Sequence, residues 1–412
     1  MISFEDAIER TLELFHPLAS ETLPLQDACG RVLSKTVRAD RDQPPFRSSA
    51  MDGYAVRSED IRDGAVLRVI GESVAGHRFH GDIGRGETVR IFTGSPIPDG
   101  ADRVVIQEDV VRENATVTIG RNLSPSAFVR PRGSDYAAGA EVQAPCRLGP
   151  AAISLLASMN ASHVRVTRRP TIAVMTSGDE LVAVGETPGE DQIVSSNNIG
   201  VKALVESEGG IAWLLPIARD SQDDIRFHFD LARNAGVDAI VTLGGASVGE
   251  HDLIAKVGEA AGLELAFHGV ALRPGKPLMA GNFRGVPFIG IPGNPVSSIV
   301  CSHIFLRPAI RAMLGLEISP LIQKTATLGS DVGRNGPRRH FMCARTSLTT
   351  ADKSGTNGGI NGTNGDGKTV VTPFPRQDSS LLSVLARSDA LLVRPPGDES
   401  RPAGASVTYI PL

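Results

Sequence analysis

The chain has 412 residues, of which 42 are Lys or Arg and 46 are Asp or Glu, so its formal net charge at pH 7 is −4. At ~150 residues per domain, this length predicts about three domains, each with its own core. The lack of excess basic charge and an aromatic content of 4% argue against a nucleic-acid-binding protein, which needs a basic surface and stacking rings.

The cysteines and the N-terminus indicate the compartment. Cys29, Cys146, Cys301 and Cys343 lie far apart, so neither a zinc knuckle nor a C-x-x-C redox pair is predicted. The first ten residues are acidic from Glu5 onward, unlike a signal peptide, and no apolar run approaches the ~18 residues of a membrane span. We expect a soluble cytoplasmic protein with reduced thiols and with no membrane or nucleic-acid partner.

The first 170 residues predict two helices on either side of a β-rich stretch. Residues 3–16 form an amphipathic helix with Ser3 as its N-cap, and a second helix over 150–160 begins with a proline, which the first turn tolerates. From about residue 46 to 140 the chain is predicted to be a separate β-rich domain. Its β-forming runs, separated by turns, are 65–71, 87–94, 102–111 and 115–120.

From Pro170 onward strands and helices alternate, which predicts a parallel α/β sheet with right-handed crossovers. The predicted strands are 171–177, 211–218, 237–243, 263–272 and 286–291. The predicted helices are 197–210, 221–236 with Ser221 as its cap, 251–262 and 294–314.

After about residue 318 the β pattern returns. Strands are predicted at 340–348, 369–374, 389–395 and 406–410. Between the first two, the Gly/Asn-rich tract 354–367 predicts a flexible loop. A phosphate-binding loop is the alternative, but the tract lacks the strand and helix that normally flank one.

Ligands of open α/β sheets bind outside the carboxyl ends of the strands, so the post-strand loops are the first place to look for a site. These loops span 176–180, 218–220, 242–252, 272–277 and 291–298. Together they carry two Gly-rich turns, the acidic residues Glu180, Asp220, Glu250 and Asp252, and the basic residues Arg273 and Lys276.

The loop 242–252 combines glycines with carboxylates. The N–H groups of Gly244, Gly245 and Gly249 can approach an oxyanion, whereas carboxylates repel it. A Mg²⁺ ion between carboxylates and phosphate reconciles the two. Each feature also has a simpler interpretation: a tight turn for the glycines, and a favourable first-turn charge for Asp252.

Two other patterns stay open from the residues alone. Asn294 and Pro295 fit the first positions of a helix whose N-terminus could bind an anion, or they simply cap it. In the β-rich segment, Asp52, Thr93 and Asp135 each stand beside turn-forming residues, and each is more typical of a turn than of a site.

Seven segments occur in order along nearly the whole chain: "SSAMDGYAV", "RIFTGSPIPDGAD", "VRPRGSD", "TSGDEL", "TLGGASVGEHD", "RPGKPLMAG" and "IPGNPVSS". In this combination the chain resembles the molybdopterin molybdenumtransferases, or molybdenum insertases, a family that includes the gephyrin E domain.

The resemblance implies a multidomain α/β plus β architecture. An elongated α+β domain would be built from two segments, and a β-rich domain would be inserted between them. A three-layer parallel α/β domain of the molybdopterin-binding type and a C-terminal β-barrel-like domain would follow. We place these domains at 1–45 with 140–170, 46–139, 171–317 and 318–412, with a flexible loop at 351–368.

The resemblance also implies a reaction: Mg²⁺-dependent insertion of molybdate into adenylylated molybdopterin, with release of AMP. By motif, the catalytic residues would be Asp52, Thr93, Asp135, Glu180, Asp220, Asp252, Arg273 and Lys276, with Asp220 and Asp252 as metal ligands. The substrate-binding residues would be Ser177, Gly178, Gly244, Gly245, Ser247, Gly249, Pro274, Gly275, Pro292, Gly293, Asn294, Pro295 and Ser297.

Family members are homodimers whose cleft lies between the α/β domain of one subunit and the β-rich domain of the other. Protein partners would include the preceding adenylyltransferase and recipient molybdoenzymes. The sequence departs from the family at Arg273, where Lys is commoner, and in the 354–367 insertion. The alternatives are a stand-alone adenylyltransferase, a non-catalytic scaffold and a tungsten-inserting enzyme.

Overall fold

The computed structural model describes residues 1–245, 253–317, 323–349 and 368–412. Three predicted site residues, Ser247, Gly249 and Asp252, lie outside these ranges, as does the 354–367 tract. Among the described residues, no helix is long and apolar enough to cross a membrane.

The chain opens with a short helix and three short strands. They are α1 (Phe4–Leu12), β1 (Ser20–Pro24), β2 (Val32–Leu33) and β3 (Val37–Arg38). Ser3 caps α1 as predicted, since its hydroxyl accepts the Asp6 N–H at 3.0 Å. The helix ends earlier than predicted, because the N–H groups of Leu14 and Phe15 donate to the carbonyls of Thr11 and Leu12, three residues back, at 3.1 Å. Phe15 is nevertheless buried.

A β-rich unit follows. Its strands are β4 (Ser48–Ser49), β5 (Gly53–Val56), β6 (Val66–Ser73), β7 (Glu87–Ile91), β8 (Arg103–Ile106), β9 (Val110–Glu113), β10 (Thr116–Ile119) and β11 (Val129–Arg130). Six of them form one sheet in the order β8-β5-β7-β6-β10-β9. The run predicted at 102–111 is two strands, because a 3-10 turn at Gln107–Asp109 interrupts it.

The chain then returns to its first segment. The elements are β12 (Glu141–Val142), β13 (Cys146–Arg147), α2 (Pro150–Ser158) and β14 (His163–Thr167). They complete a sheet in the order β1-β14-β2-β13, while β12 pairs with β3. Two segments that are distant in sequence are therefore joined by backbone pairing, although the predicted domain boundaries stay predictions.

The α/β unit contains the predicted alternation. Its elements are β15 (Thr171–Thr176), β16 (Leu181–Val182), β17 (Ile193–Val194), α3 (Asn197–Ser207), β18 (Ile211–Leu214), α4 (Gln222–Asn234), β19 (Ala239–Leu243), α5 (Leu253–Ala260), β20 (Leu263–His268), β21 (Leu272–Arg273), β22 (Met279–Phe283), β23 (Val286–Ile291), α6 (Pro295–Cys301) and α7 (Arg307–Met313). Ser221 caps α4 as predicted. A π-helical turn at Ser302–Leu306 joins α6 to α7, so the closing helix is continuous.

The central sheet has the order β18-β15-β19-β23-β22-β20. The first four strands are parallel, as predicted, but β22 runs antiparallel to both of its neighbours. The expectation of a wholly parallel sheet is therefore wrong at one edge. Arg284 and Gly285 both have positive φ, which suits the tight hairpin between β22 and β23. Arg-Gly is a weak sequence signal for such a turn, and β22 was missed.

The C-terminal part is a closed barrel with β21 attached. Its elements are β24 (Lys324–Leu328), β25 (Arg339–Thr349), β26 (Lys368–Pro373), α8 (Leu382–Leu385), β27 (Ala390–Arg394) and β28 (Ser406–Pro411). The order is β21-β25-β26-β24-β28-β27, and β27 pairs back with β25. The predicted multidomain α/β plus β class is confirmed, although β24 was not predicted.

One hydrophobic core connects α1, the α/β unit and the barrel. The Phe4 ring lies 6.0 Å from the ring of Phe305 in the closing helix and 5.5 Å from that of Phe341 in β25. The Arg339 guanidinium covers Phe4 at 4.6 Å and pairs with Glu5 at 2.6 Å. The N-terminal helix therefore holds the barrel against the α/β unit.

Truncating this ring should be costly. We expect Phe4→Ala to lower the free energy of unfolding by about 3 kcal/mol, because the side chain is buried between two further rings. Urea denaturation of the two proteins measures the difference. Phe227→Ala is the matched control, since Phe227 is 59% exposed and its loss should cost less than about 0.5 kcal/mol. Equal effects would contradict the role assigned to Phe4.

Candidate active site

A cleft of about 1180 Å³ lies between the carboxyl ends of the central strands and the barrel. Every described residue that was predicted from the post-strand loops lines it. These residues are Ser177, Gly178, Glu180, Asp220, Gly244, Gly245, Arg273, Pro274, Gly275, Lys276, Pro292, Gly293, Asn294, Pro295 and Ser297. The parallel-strand rule therefore located the cleft, while the role of each residue stays a prediction.

Carboxylates collect on the α/β side of the cleft. Burial raises the pKa of Asp220, and the neighbouring charges of Asp179 and Glu180 raise it further. The Glu180 carboxylate folds back over Gly178, and its Oε2 lies 2.4 Å from where a Cβ atom on residue 178 would be. This side of the cleft thus concentrates negative charge that a cation would relieve.

The carboxylates fit a magnesium ion only in part. The described residues contain no group of three His, Cys, Asp or Glu side chains arranged to hold a metal, and Asp252, the predicted partner of Asp220, lies outside them. Mg²⁺ usually takes one or two carboxylates and completes its shell with waters and phosphate oxygens. Asp220 can therefore contribute to such a site if the substrate supplies further oxygens.

Buried hydroxyls line the same side. Thr176 Oγ1, Ser177 Oγ and Ser195 Oγ have no hydrogen-bond partner within the described protein, and all three residues are less than 5% exposed. They border the cleft. Because a buried hydroxyl without a partner is costly, these groups favour a polar substrate.

The barrel contributes a further part of the lining, which is basic apart from Asp378. Arg338, Arg376, Gln377, Asp378 and Ser380 line the cleft there. The sequence interpretation missed them all. The charged runs "GPRRH" and "RQDSS" around predicted strands were the available signal, but only the barrel's pairing brings them to the cleft.

Strand β21 carries Arg273 to this basic side. Leu272 and Arg273 pair with Arg339 and His340 of β25, and the Arg338 guanidinium donates to the Leu272 carbonyl at 3.3 Å. Arg273 therefore belongs to the barrel's sheet, whereas the sequence placed it in a loop.

His340 was not predicted either. It is 7% exposed and lines the cleft. Burial lowers its pKa to about 4, helped by the charges of Arg273, Arg394 and Arg338. At neutral pH its imidazole is thus an uncharged hydrogen-bonding group within a cationic wall.

At the N-terminus of α6, some of the N–H groups that an anion would need are already hydrogen-bonded within the protein. Asn294 occupies the N-cap position, but its side chain makes no capping bond. The Val296 N–H donates to the Ser379 carbonyl of the barrel segment at 2.9 Å, and the Ser298 N–H donates to the Asn294 carbonyl at 2.8 Å. Part of the helix terminus therefore serves to attach the barrel.

Asp52, Thr93 and Asp135 do not line the cleft of their own chain. Asp52 accepts the Thr93 N–H at 2.7 Å and the Thr93 hydroxyl at 2.8 Å. These bonds, and to a lesser degree Arg90, lower the pKa of Asp52. The β-rich sheet therefore presents a firmly ionised carboxylate away from the other predicted residues.

Three family models match consecutive parts of the chain. They describe the MoeA N-terminal region (domains I and II) over residues 2–160, a probable molybdopterin binding domain over 173–312, and the MoeA C-terminal region (domain IV) over 325–412. The chain is 32% identical to the molybdopterin molybdenumtransferase of Haemophilus influenzae, covering 100% of this chain and 99% of that relative. The chain belongs to the molybdopterin molybdenumtransferase family.

Other members agree. The molybdopterin molybdenumtransferase of Staphylococcus aureus strain MRSA252 is 30% identical, covering 99% of this chain and 95% of the relative. The crystal structure of the molybdopterin biosynthesis MoeA protein from Pyrococcus horikoshii OT3 matches all of the chain with a TM-score of 0.81 at 26% identity. The predicted family, and a transferase of molybdenum cofactor biosynthesis as enzyme class, are confirmed.

The carboxylate cluster of this molybdenumtransferase cleft should reduce stability. The pKa of Asp220 is raised above its ordinary value of 3.8, so its ionisation opposes folding at neutral pH, and this effect vanishes below pH 3.8. We expect Asp220→Asn to raise Tm at pH 7 in the presence of a chelator, with a gain that shrinks as the pH falls toward 4.

Thermal unfolding at a series of pH values measures this gain. Asp223→Asn is the matched control, since Asp223 is exposed in the first turn of α4 and outside the cleft. A lower Tm for Asp220→Asn at pH 7, or a gain that is constant with pH, would be inconsistent with the proposed repulsion.

Proposed function

We propose that the protein inserts molybdate into adenylylated molybdopterin in a Mg²⁺-dependent reaction that releases AMP and forms the molybdenum cofactor. The observation that carries this proposal is that one cleft is lined by charges of both signs. Asp220 and Glu180 come from loops that follow parallel strands of the α/β unit, while Arg273 and Arg338 come from β21 and the barrel, and Lys276 comes from the loop after β21. Membership of the molybdopterin molybdenumtransferase family supports it.

The basic side suits the anions of this reaction. Molybdate is a tetrahedral oxyanion, and the adenylyl group is joined through a phosphoanhydride. Arg273 offers a planar fork of donors and Lys276 a compact charge, while Arg376 adds a third cation on the barrel side. Fixed cations in a cleft orient such anions and stabilise charge that develops on their oxygens.

The acidic side suits a hard cation. Asp220, together with Asp252 as predicted from the sequence, would hold Mg²⁺ while phosphate oxygens complete its coordination. When bound, the ion neutralises phosphate charge and polarises the bond to the leaving AMP. The partnerless hydroxyls of Ser177 and Ser195 would donate to substrate oxygens nearby.

The proposed site needs a second copy of the chain. Asp52 and Thr93 form a hydrogen-bonded pair, but neither residue lines the cleft of its own chain, and nor does Asp135. We propose that, in a homodimer, the β-rich unit of one subunit completes the cleft of the other. Such an arrangement is isologous and yields two equivalent sites.

The alternatives fit less well. A stand-alone adenylyltransferase needs only the α/β unit, whereas whole-chain relatives of this protein are named molybdenumtransferases. A non-catalytic scaffold has no need of partnerless buried hydroxyls in a charged cleft. The protein partners we propose are the preceding adenylyltransferase and recipient molybdoenzymes, in the cytoplasm.

The reaction can be tested directly. With Mg²⁺, we expect purified protein to release AMP from adenylylated molybdopterin only when molybdate is present, and the product to activate an apo-molybdoenzyme. Lys276→Ala should slow AMP release by about 100-fold, because it removes a cation from the oxyanion side. Lys202→Ala is the matched control, since Lys202 pairs with Glu206 on α3 and lies outside the cleft.

Other outcomes would identify an alternative. AMP release without molybdate and without active cofactor would indicate a different acceptor, and a preference for tungstate would indicate tungsten insertion. Consumption of ATP with pyrophosphate release would favour the adenylyltransferase. A folded protein with no activity at all would favour the scaffold.

A shared cleft can be tested by subunit mixing. If Asp52 acts on the partner's cleft, Asp52→Ala and Asp220→Ala proteins should each be inactive, while a heterodimer of the two contains one intact site. Random reassembly of equal amounts should therefore restore about a quarter of wild-type AMP release. Unmixed variants carried through the same dissociation and reassembly serve as controls. No recovery, despite heterodimers detected by mass spectrometry, would place Asp52 outside the shared site.

A further inference from the structure

The side chain of Gln377 continues a β-ladder that the backbone does not complete. Strand β26 pairs with β25 up to Pro373, which stands opposite Ala344. At the next position of β25, the Cys343 N–H donates to Gln377 Oε1 at 2.9 Å, and Gln377 Nε2 donates to the Cys343 carbonyl at 2.9 Å. The side-chain amide thus accepts the Cys343 N–H as a backbone carbonyl would, and it gives the Cys343 carbonyl a donor in addition to the Phe374 N–H.

The Gln377 side chain also forms a hydrogen bond within the turn that contains it. Its Nε2 donates to the Phe374 carbonyl at 2.7 Å, and the Phe374 N–H donates to the Cys343 carbonyl at 3.0 Å. Cys343 is 3% exposed, so its backbone groups are sheltered from water and depend on these partners. The amide therefore fixes the start of the segment 376–381 to the barrel.

The segment then reaches the α/β unit. Asp378 accepts the Ser380 N–H at 2.9 Å and the Ser380 hydroxyl at 2.8 Å, which folds the segment into a tight turn. At the apex of this turn, the Ser379 carbonyl accepts the Val296 N–H from the first turn of α6 at 2.9 Å. A continuous hydrogen-bonded connection thus runs from β25 through Gln377 to α6.

Both ends of this connection border the cleft. Residues 376–381 and the first turn of α6 line it, with Arg376 as the cation of the segment. We propose that Gln377 is a positioning residue that keeps Arg376 and the first turn of α6 at a fixed separation, and so sets the affinity of the cleft for its oxyanion substrate. This inference rests on the proposed function of the same cleft.

The test uses Gln377→Met, which preserves size but removes every hydrogen bond of the amide. In the full-length protein, we expect faster backbone hydrogen exchange in peptides covering 374–385 and 292–301. Calorimetry with inorganic molybdate should show about tenfold weaker binding. The KM for molybdate should rise by a similar factor while kcat changes by less than about twofold. Gln222→Met, at the exposed start of α4, is the matched control.

A second variant separates the donors from the acceptor. Gln377→Glu keeps an acceptor for the Cys343 N–H, but it places a carboxylate oxygen where the amide nitrogen donated to the carbonyls of Cys343 and Phe374. Because these oxygens repel each other, its exchange rates in the same peptides should be at least as high as those of Gln377→Met. Wild-type circular dichroism of both variants establishes that the fold is intact.

The outcomes are distinct. Unchanged exchange, or faster exchange with unchanged molybdate affinity, would overturn the positioning role. A fall in kcat with KM unaffected would overturn it as well. If the wild type bound molybdate and Gln377→Met weakened that binding, but neither released AMP, the proposed reaction would fail and the positioning role would stand.

Discussion

The cleft depends on one short pairing: Leu272 and Arg273 with Arg339 and His340. This pairing takes a connection of the α/β unit and makes it the first strand of the barrel sheet. The turn before it is also held from the N-terminus, since the Ile2 N–H donates to the Gly269 carbonyl and the Ile2 carbonyl accepts the Ala271 N–H. Because the connection is fixed from both sides, the barrel faces the carboxyl ends of the central strands at a defined distance. This pairing adds to the shared hydrophobic core and to the bond from Val296 to Ser379, which also join the barrel to the α/β unit.

The sequence located the acidic wall of the cleft but only Arg273 and Lys276 of the basic one, for a physical reason. Parallel strands place the loops that follow them at one edge, so the positions of Glu180 and Asp220 follow from local patterns alone. Arg338, His340 and Arg376 reach the cleft only through the barrel's closure and the pairing of β21, which are contacts between residues distant in the chain. Local propensity does not encode such register. The missed strand β22 has the same cause, because its hairpin is defined by neighbouring strands and only weakly by its own residues.

Three ionisable groups show how the environment assigns different properties to similar side chains. Hydrogen bonds from Thr93 lower the pKa of Asp52, whereas burial and like charges raise that of Asp220. The two aspartates of the proposed site therefore differ in ionisation. Asp52 is firmly ionised, whereas a bound cation would stabilise the ionised form of Asp220. Burial among arginines keeps His340 neutral. It can exchange hydrogen bonds with an oxyanion without adding to a positive wall that already contains Arg273, Arg338 and Arg376.

The cleft is locally less stable than the core that supports it. Phe4, Phe305 and Phe341 pack ring against ring, while the cleft retains buried hydroxyls of Thr176, Ser177 and Ser195 without protein partners. Buried polar groups of this kind reduce stability unless a ligand satisfies them. Clustered carboxylates have the same effect until a cation joins them. The partnerless hydroxyls and the clustered carboxylates lie in the same cleft as a set of arginines. The fold does not require this arrangement, whereas the binding of a polar anion together with a metal ion explains it. Binding of such a ligand should therefore strengthen the contacts between barrel and α/β unit, since both sides of the cleft would then share it.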